Sequence, residues 1–256
     1  MIKSNSRLLL VAKRTLILGM LSGLVACTAT TVVDPRLIEI KGPTGYSDFI
    51  PQDPLPSPKI TYFDAKTGKE ITKAWVQLSN VEIRNILSNN RAEITVGKFD
   101  AAGNLTYLVS KVTGSAGSYR VVMDYCEYVG QTVTDDQGNL IGQGRVGVGL
   151  RLTADVVTTK ANVNLGSLLA LGIAASSNQI TGTMTVDSIG IRVPGGSGPI
   201  LSNTAIDESS IQKTLESIAV IQSKIGDPGT KLDPQLLAVK PAAAATKPLE
   251  VAKKLI

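Results

Sequence analysis

Apolar and polar residues alternate most regularly between Arg145 and Thr159. The even-numbered positions of this stretch are apolar up to Val156: Val146, Val148, Leu150, Leu152, Ala154 and Val156. The odd-numbered positions between them hold Gly147, Gly149, Arg151, Thr153 and Asp155. Because successive side chains of a strand point to opposite faces, this period of two predicts a strand in a sheet with one apolar and one polar face.

The stretch from Ile180 to Val193 repeats the alternation. Its apolar residues occupy even-numbered positions up to Val186 and odd-numbered positions from Ile189 onward. One extra residue in a strand reverses the phase of its side chains. The pattern therefore predicts a second strand that carries a β-bulge near Asp187 and Ser188.

Shorter apolar runs, beginning near Ile60, are separated by three turn-rich connections. These connections occupy 64–69, 100–104 and 135–139, and the last two share the pattern Asp-x-x-Gly-Asn-Leu. Aspartate starts a turn through its side chain, and glycine or asparagine accepts a positive φ, so such connections join the strands of hairpins. A calcium loop at 135–139 is disfavoured because the alternating oxygen ligands and the terminal glutamate of an EF-hand are missing.

One long helix is predicted near the C-terminus, over Asp207 to Ile225. Its apolar stripe at helical spacing consists of Ile211, Leu215, Ile218, Ile221 and Ile225. Thr204-x-x-Asp207 fits a capping box at its start, and Gly226 followed by Pro228 ends it. The segment 80–90 fits either a short helix or an irregular strand. The predicted fold class is α+β, mainly β: an antiparallel sheet of hairpins packed with a C-terminal helix.

The segment Leu165 to Ala175 is almost wholly apolar apart from Ser167. About 20 apolar residues are needed to cross a bilayer as a helix, so this segment is too short. The first interpretation is a buried helix or turn that covers the sheet. The alternative is a membrane-active tip between two amphipathic strands, as in an oligomeric β-barrel pore, although the few aromatic residues argue against interfacial girdles.

The N-terminal residues have the organisation of an export signal. Lys3, Arg7, Lys13 and Arg14 precede an apolar run from Thr15 to Val25, and no acidic residue occurs before Cys27. This run is too short for a transmembrane helix and is typical of a cleaved targeting segment.

The stretch Leu24-Val25-Ala26-Cys27 resembles the lipobox of bacterial lipoprotein precursors. The resemblance implies that Cys27 becomes the first residue of the mature chain and carries diacylglycerol, and usually an acyl chain on its new amine. Two acyl chains give stable membrane anchoring. Thr28, in place of aspartate, implies sorting to the outer membrane under the enteric rule. The leaflet is not specified.

The chain divides into four predicted parts. Residues 1–26 are the signal peptide, and 27–58 form a tether rich in proline, which disfavours both helix and central strand. Residues 59–226 form the β-rich domain with its C-terminal helix. Residues 227–256 are rich in Pro, Ala and Lys, and we expect a flexible tail there.

The basic character of the whole chain comes from the signal. Its 26 basic and 21 acidic residues become 22 and 21 once residues 1–26 are removed. Without a basic stripe, nucleic acid is not an expected partner. The expected partners are the membrane, through the lipid anchor, and an envelope protein or further copies of the chain.

Candidate chemistry is sparse. The chain has no histidine, which excludes Ser-His-Asp and Cys-His nucleophile systems and the commonest metal ligand. With Cys27 lipidated, Cys126 has no disulfide partner within the chain, and we expect it to be a buried apolar group. Gly142 to Gly147 matches Gly-x-Gly-x-x-Gly but runs into a strand, whereas a dinucleotide site needs these glycines at a helix start.

Paired carboxylates also give no site. Asp124 and Glu127 fall on opposite faces of a strand, and Asp155 and Asp187 fit a solvated polar face. No catalytic, cofactor-binding or metal residues are predicted, and Cys27 is the one site residue, for lipidation. We expect a membrane-anchored envelope lipoprotein with a non-catalytic binding or structural role. The alternatives are a subunit of an oligomeric envelope complex, β-hairpin pore or secretion assembly, and, less favoured, a histidine-free hydrolase.

Overall fold

The structure, a computed structural model, describes residues 48–57, 59–64, 67–87, 89–108, 113–134, 139–192 and 199–242. The predicted lipidation site at Cys27, the signal peptide and the first part of the predicted tether lie outside these residues. So do 135–138 of the third predicted turn and the end of the predicted tail, 243–256.

Within the described residues, the chain forms fourteen strands and three α-helices. The strands are β1 (Ile50–Pro56), β2 (Lys59–Asp64), β3 (Lys69–Ala74), β4 (Asn89–Phe99), β5 (Leu105–Leu108), β6 (Thr113–Gly114), β7 (Gly117–Thr134), β8 (Leu140–Thr158), β9 (Val163–Asn164), β10 (Ile180–Ile189), β11 (Ile191–Arg192), β12 (Pro199–Ala205), β13 (Lys231–Leu232) and β14 (Gln235–Pro241). The helices are α1 (Asn80–Ile86), α2 (Leu168–Ser176) and α3 (Glu208–Gly226).

The predicted fold class is confirmed: the fold is mainly antiparallel β, with the C-terminal helix α3 packed on the sheet. The main sheet has the strand order β1-β14-β8-β7-β4-β5. One edge of β8 pairs with β7 along nearly its whole length. Its other edge is shared, since β14 pairs with 142–147 and β10 pairs with 149–158, and β12 pairs with the far edge of β10.

The apolar face of β8 forms the centre of the core. Its even-numbered residues Val146, Val148, Leu150, Leu152 and Ala154 are fully buried. Helix α3 covers this face, and four of its predicted stripe residues are buried: Ile211, Ile218, Ile221 and Ile225. The apolar residues that repeat every second position in β8 therefore pack against the apolar stripe of α3.

Helix α3 begins one residue later than predicted and uses a different cap. Asp207 is the N-cap residue, and its side chain accepts a hydrogen bond from the backbone N–H of Ser210, whose hydroxyl in turn accepts one from the N–H of Asp207. The predicted capping box at Thr204 is wrong, because Thr204 lies in β12, where its backbone belongs to the sheet.

The segment 80–90 contains a helix, α1, capped by a reciprocal pair of hydrogen bonds between Ser79 and Glu82. From this helix Arg84 reaches the end of α3. Its Nε donates to the carbonyl of Ile225 at 2.6 Å, and an Nη also donates to the carbonyl of Asp227. A cation at the C-terminus of a helix satisfies carbonyls that have no partner within the helix.

The apolar segment after β9 forms α2, which packs against α3. Leu168, Leu171 and Ala174 face the core, whereas Leu169 and Ile173 are exposed. The first interpretation of this segment, a helix that covers the sheet, is confirmed. Among the described residues, no helix is long and apolar enough to cross a membrane.

The predicted domain limits are too narrow at both ends. Strand β1 lies inside the predicted tether, and β13 and β14 lie inside the predicted tail. β1 tolerates its prolines because it is an edge strand, where missing N–H groups cost no ladder bond. β14 pairs with β8 through an apolar run, 236–239, that is buried in the sheet.

The predicted bulge near Asp187 is absent from the pairing of β10 with β8, which runs without a shift from Ile180 to Ile189. The pairing with β12 does shift between Val186 and Asp187. The apolar phase changes for other reasons. β10 ends at Ile189, and Ile191 of β11 is buried in the main core again. Ile189 itself lies on the opposite face of the sheet. There it forms a second apolar cluster with Cys126, Tyr128 and Leu237.

Candidate functional site

The polar face of the sheet carries arginine–carboxylate pairs that cross from strand to strand. The pairs are Arg151–Asp124, Arg120–Asp155 and Arg145–Glu93. In the register of β7 and β8, Arg151 stands directly opposite Asp124, and Arg120 directly opposite Asp155. Directly opposed residues of opposite charge stabilise an antiparallel pair of strands.

Arg151 is the most buried of these arginines, with 6% of its surface exposed. Its Nε and one Nη donate to the two carboxylate oxygens of Asp124 at 2.6 and 2.7 Å. Such a bidentate, charge-assisted contact fixes both groups in one plane. Asp124 and Asp187 are the charged residues that stand opposite Arg151 on its two neighbouring strands.

Two strand irregularities meet at Arg151. The pairing of β1 with β14 shifts between Pro51 and Leu55, and the pairing of β14 with β8 shifts between Leu236 and Ala238. The residues at these shifts supply carbonyl groups. Arg151 donates to the carbonyl of Leu237 at 2.8 Å and to the carbonyl of Gln52.

This guanidinium therefore bonds one carboxylate and two bulge carbonyls. A carbonyl that leaves the ladder at a bulge needs a partner if it is buried. Arg151 supplies that partner for both bulges and holds the irregular part of β1 over the polar face. Bulges of this kind are common beside functional sites, where they redirect side chains.

A groove of about 180 Å³ lies between the bulged part of β1 and the polar face. We call it the bulge groove. Its polar lining is supplied by β1, β5, β7, β8 and β10 through Asp53, Tyr107, Arg120, Arg151, Thr153 and Asp187. Five strands, from residue 50 to residue 189 of the chain, thus contribute side chains to one concave surface.

Desolvation shapes the electrostatics of the groove. Burial raises the pKa of Asp187, and the charge of Arg151 opposes this by lowering it. Burial also raises the pKa of Tyr107, on which the charges of Arg120, Arg151 and Asp53 all act. The carboxylate of Asp187 feels the charge of Arg151 but forms no hydrogen bond or ion pair with any residue in the described part of the chain. It is a carboxylate that is partly removed from water and left open to a ligand.

The sequence candidates are dispersed by the fold. Asp124 and Glu127 lie on opposite faces, as predicted, and Asp124 is engaged by Arg151. Asp155 stands opposite Thr183, whereas Asp187 stands opposite Arg151, so the two acids do not face each other. Among the described residues, no cluster of three or more Cys, Asp or Glu side chains is arranged to hold a metal ion.

The glycines of the Gly-x-Gly-x-x-Gly match serve the packing of strand β8. A Cβ at Gly142 would collide with the backbone of Lys240 in β14, and one at Gly147 would collide with the carbonyl of Glu127 in β7. Nearby, a Cβ at Gly149 would lie 2.7 Å from the Sγ of Cys126. These glycines permit close approach of neighbouring strands, which is the structural alternative to a phosphate loop.

Cys126 is buried, as expected, and burial raises the pKa of its thiol well above the ordinary value. A thiol held protonated in apolar surroundings is a poor nucleophile. Its neighbours in the second apolar cluster are Tyr128, Ile189 and Leu237. Cys126 therefore belongs to the packing beside the bulge groove.

The residues that sequence reasoning missed are those that build the groove. Gln52 and Asp53 lay in the predicted tether, and Tyr107 was not singled out. Arg151 was one of several polar residues on the alternating strand β8, and no spacing to another residue singled it out. One signal was present: Pro51-Gln52-Asp53-Pro54 places two polar residues between two prolines, which is typical of an irregular edge strand.

Comparison with known proteins assigns no relative. No protein-family model, no curated protein and no solved structure matches the chain. The side chains of the bulge groove offer charge and hydrogen bonds, and the histidine-free chain gives them no nucleophile–histidine pair. This set of groups suits binding.

Proposed function

We propose that this chain is a lipid-anchored protein of the bacterial cell envelope whose β-rich domain binds a partner or small ligand in the bulge groove, without catalysis. The observation that carries the binding role is Asp187. It lines a concave surface, burial raises its pKa, and its carboxylate forms no hydrogen bond or ion pair with the described residues. Such perturbed groups in clefts are concentrated at functional sites.

The construction of the groove supports the same role. Arg151 holds two bulged strands in place through four hydrogen bonds, two to Asp124 and two to backbone carbonyls. A site whose walls are fixed before binding loses less conformational entropy when a ligand enters. Regular pairing of β1, β14 and β8 would not require bulges on two adjacent strands.

The non-catalytic part of the proposal follows from the arrangement of the acids and bases. Arg120 and Arg151 are each engaged by a carboxylate of their own. General acid–base catalysis requires a proton donor or acceptor in reach of the reacting group, and nucleophilic catalysis requires an activated nucleophile. Asp53, Asp187 and Tyr107 are the groove's open ionisable groups among the described residues, and none of them activates a nucleophile.

The anchor is tested at Cys27. In cells that process lipoprotein precursors, the wild-type chain should incorporate labelled palmitate and sediment with membranes. Cys27→Ala should lose the label, remain at precursor length and lose its normal processing. Cys126→Ala is the matched control and should keep the label, because its thiol is buried. Normal processing and membrane association of Cys27→Ala would contradict the anchor.

The groove is tested by photo-crosslinking. A photoreactive amino acid at Thr153, which lines the groove on the same face as Arg151, should give a discrete crosslinked product in cells. The same group at the exposed Glu70 of β3, outside the groove, should not give that product. Equal products from both positions, or none from Thr153, would contradict binding in the bulge groove.

A further inference from the structure

We infer that the bulge groove binds a cationic group, an alkylammonium or guanidinium such as the end of a lysine or arginine side chain. This inference rests on the proposed function, because it specifies the chemistry of the ligand for that same groove. It depends on three observations: which charges in the groove are already balanced, which donors are already used, and how large the groove is.

The first observation is the balance of charge. Among the described residues, the groove's two arginines are each paired at short distance with an acid of their own. Arg120 Nε lies 2.8 Å from Asp155 and Arg151 Nε lies 2.6 Å from Asp124. Asp53 and Asp187 line the groove without an ion pair to any described residue. After these pairings, two negative charges remain.

The second observation is how the two arginines use their hydrogen-bond donors. Arg151 uses its Nε and both Nη nitrogens on Asp124 and on the carbonyls of Gln52 and Leu237. Arg120 uses its Nε and one Nη on the two oxygens of Asp155, each at 2.8 Å. Arg120 keeps further N–H groups, but its charge is already balanced by Asp155, so an anionic ligand would meet no uncompensated positive charge. A cationic ligand would donate to oxygens that are open.

Tyr107 strengthens the preference for a cation. It lines the groove and is partly buried, and it lies within electrostatic reach of Asp53. The phenol oxygen accepts hydrogen bonds, and the face of an aromatic ring attracts cations. An ammonium group carries three donors, which matches two carboxylates and one further oxygen.

The third observation is size. A volume of about 180 Å³ holds about six water molecules at liquid density, and it is smaller than the roughly 300–1,000 Å³ of pockets for drug-sized ligands. The groove therefore takes one side chain or one small amine. A lysine side chain of an envelope protein and a free diamine share this chemistry, and the two are separated by experiment.

The test is calorimetric titration of the full-length, detergent-solubilised chain at low salt. The probes are the capped peptides Gly-Lys-Gly, Gly-norleucine-Gly and Gly-Glu-Gly, together with cadaverine. We expect the lysine peptide to bind about tenfold or more tightly than the norleucine peptide, because hydrogen bonds to charged groups are the stronger ones. Added salt should weaken it.

Variants locate the binding. Asp187→Asn should weaken the lysine peptide by about tenfold, and Asp53→Asn, on the exposed bulge, should weaken it less. Glu70→Gln removes the same charge outside the groove and should leave the affinity unchanged. Circular dichroism establishes that each variant is folded. If Asp187→Asn does not fold, Asp53→Asn and its salt dependence carry the test.

Each outcome is decisive. Cadaverine that binds as tightly as the lysine peptide identifies a small amine as the ligand source, and peptide preference identifies a protein side chain; both support a cation site. Tighter binding of the glutamate peptide, equal binding of the norleucine peptide, or no binding of any cationic probe overturns the inference. The proposed function fails separately, when the Thr153 crosslink is absent.

Discussion

The two faces of the central sheet are built on different physical principles. On one face, Val148, Leu150 and Leu152 of β8 are fully buried beneath α3. Their stabilisation is non-directional and scales with the apolar area removed from water. On the other face, Arg151 holds two bulged strands by directional bonds. Adjacent residues of one strand therefore serve opposite purposes.

This difference indicates which face of the sheet fixes a specific geometry. Apolar cores tolerate exchange of side chains when volume is kept. A buried ion pair adds little net stability compared with a well-packed apolar substitute, yet loss of one partner is costly. The polar face thus maintains a particular geometry, that of the bulge groove, whereas the apolar face supplies the free energy that allows it. The following variants test this contrast.

The largest effect is expected from Arg151→Met. The change leaves Asp124 charged and buried and removes the donor for the carbonyls of Gln52 and Leu237. We expect a loss of about 3–5 kcal/mol in the free energy of unfolding. Urea denaturation followed by circular dichroism measures it.

Arg120→Met is the matched control, because its ion pair with Asp155 is partly exposed. Its cost should be about 0–1 kcal/mol. Equal costs for the two variants would show that Arg151 has no special role in holding the bulges. Restoration of stability by Arg151→Met combined with Asp124→Asn would assign the loss to the unpaired carboxylate.

Leu152→Ala tests the apolar face at the neighbouring position. Leu152 is fully buried in the main core. Its truncation removes apolar contacts and leaves a cavity, so we expect a cost of about 2–5 kcal/mol in urea denaturation. The adjacent Thr153→Ala lies on the polar side and should change stability by less than about 0.5 kcal/mol. A reversed order would contradict the assignment of the faces.

Asp207→Ala tests the helix that covers the apolar face. The side chain of Asp207 accepts from the N–H of Ser210 at the start of α3. Loss of an N-cap costs about 0.5–2 kcal/mol, which thermal or urea unfolding would detect. Asp207→Asn keeps the acceptor and should recover most of the loss. Full loss in the asparagine variant would show that charge matters more than the cap.

Local periodicity was sufficient to predict the apolar face. The alternation along β8 and the stripe of α3 both follow from burial of one side of an element, which leaves a repeat in the sequence. Neither the bulges nor the groove leaves such a repeat. Arg151 donates hydrogen bonds to residues 99 and 86 positions away in the chain. The sequence around Arg151 contains no pattern that predicts these partners.

The missed strands teach the same point. The prolines of β1 indicate an irregular segment, and its place at the sheet edge is decided by β14, near the other end of the described residues. The second apolar cluster is also why the alternation in β10 predicted a bulge in its pairing with β8: Ile189 packs on the face that is polar elsewhere. Periodicity reports how one element is buried, and these features depend on which elements meet.

The smallest effect, and the sharpest contrast in sign, is expected at the open carboxylate of the groove. Burial raises the pKa of Asp187, so the folded state binds more protons than the unfolded state. The free energy of unfolding therefore falls as the pH rises from the unfolded pKa, about 3.9, to the folded pKa. Asp187→Asn should therefore raise the urea midpoint slightly at pH 7, with the gain vanishing at acidic pH. Asp100→Asn is the matched control of opposite sign, because hydrogen bonds from Asn104 lower the pKa of Asp100 and its charge stabilises the fold at neutral pH. A loss of stability in Asp187→Asn at pH 7 would make this carboxylate a structural partner of Arg151, and the polar face would then be closed to ligands.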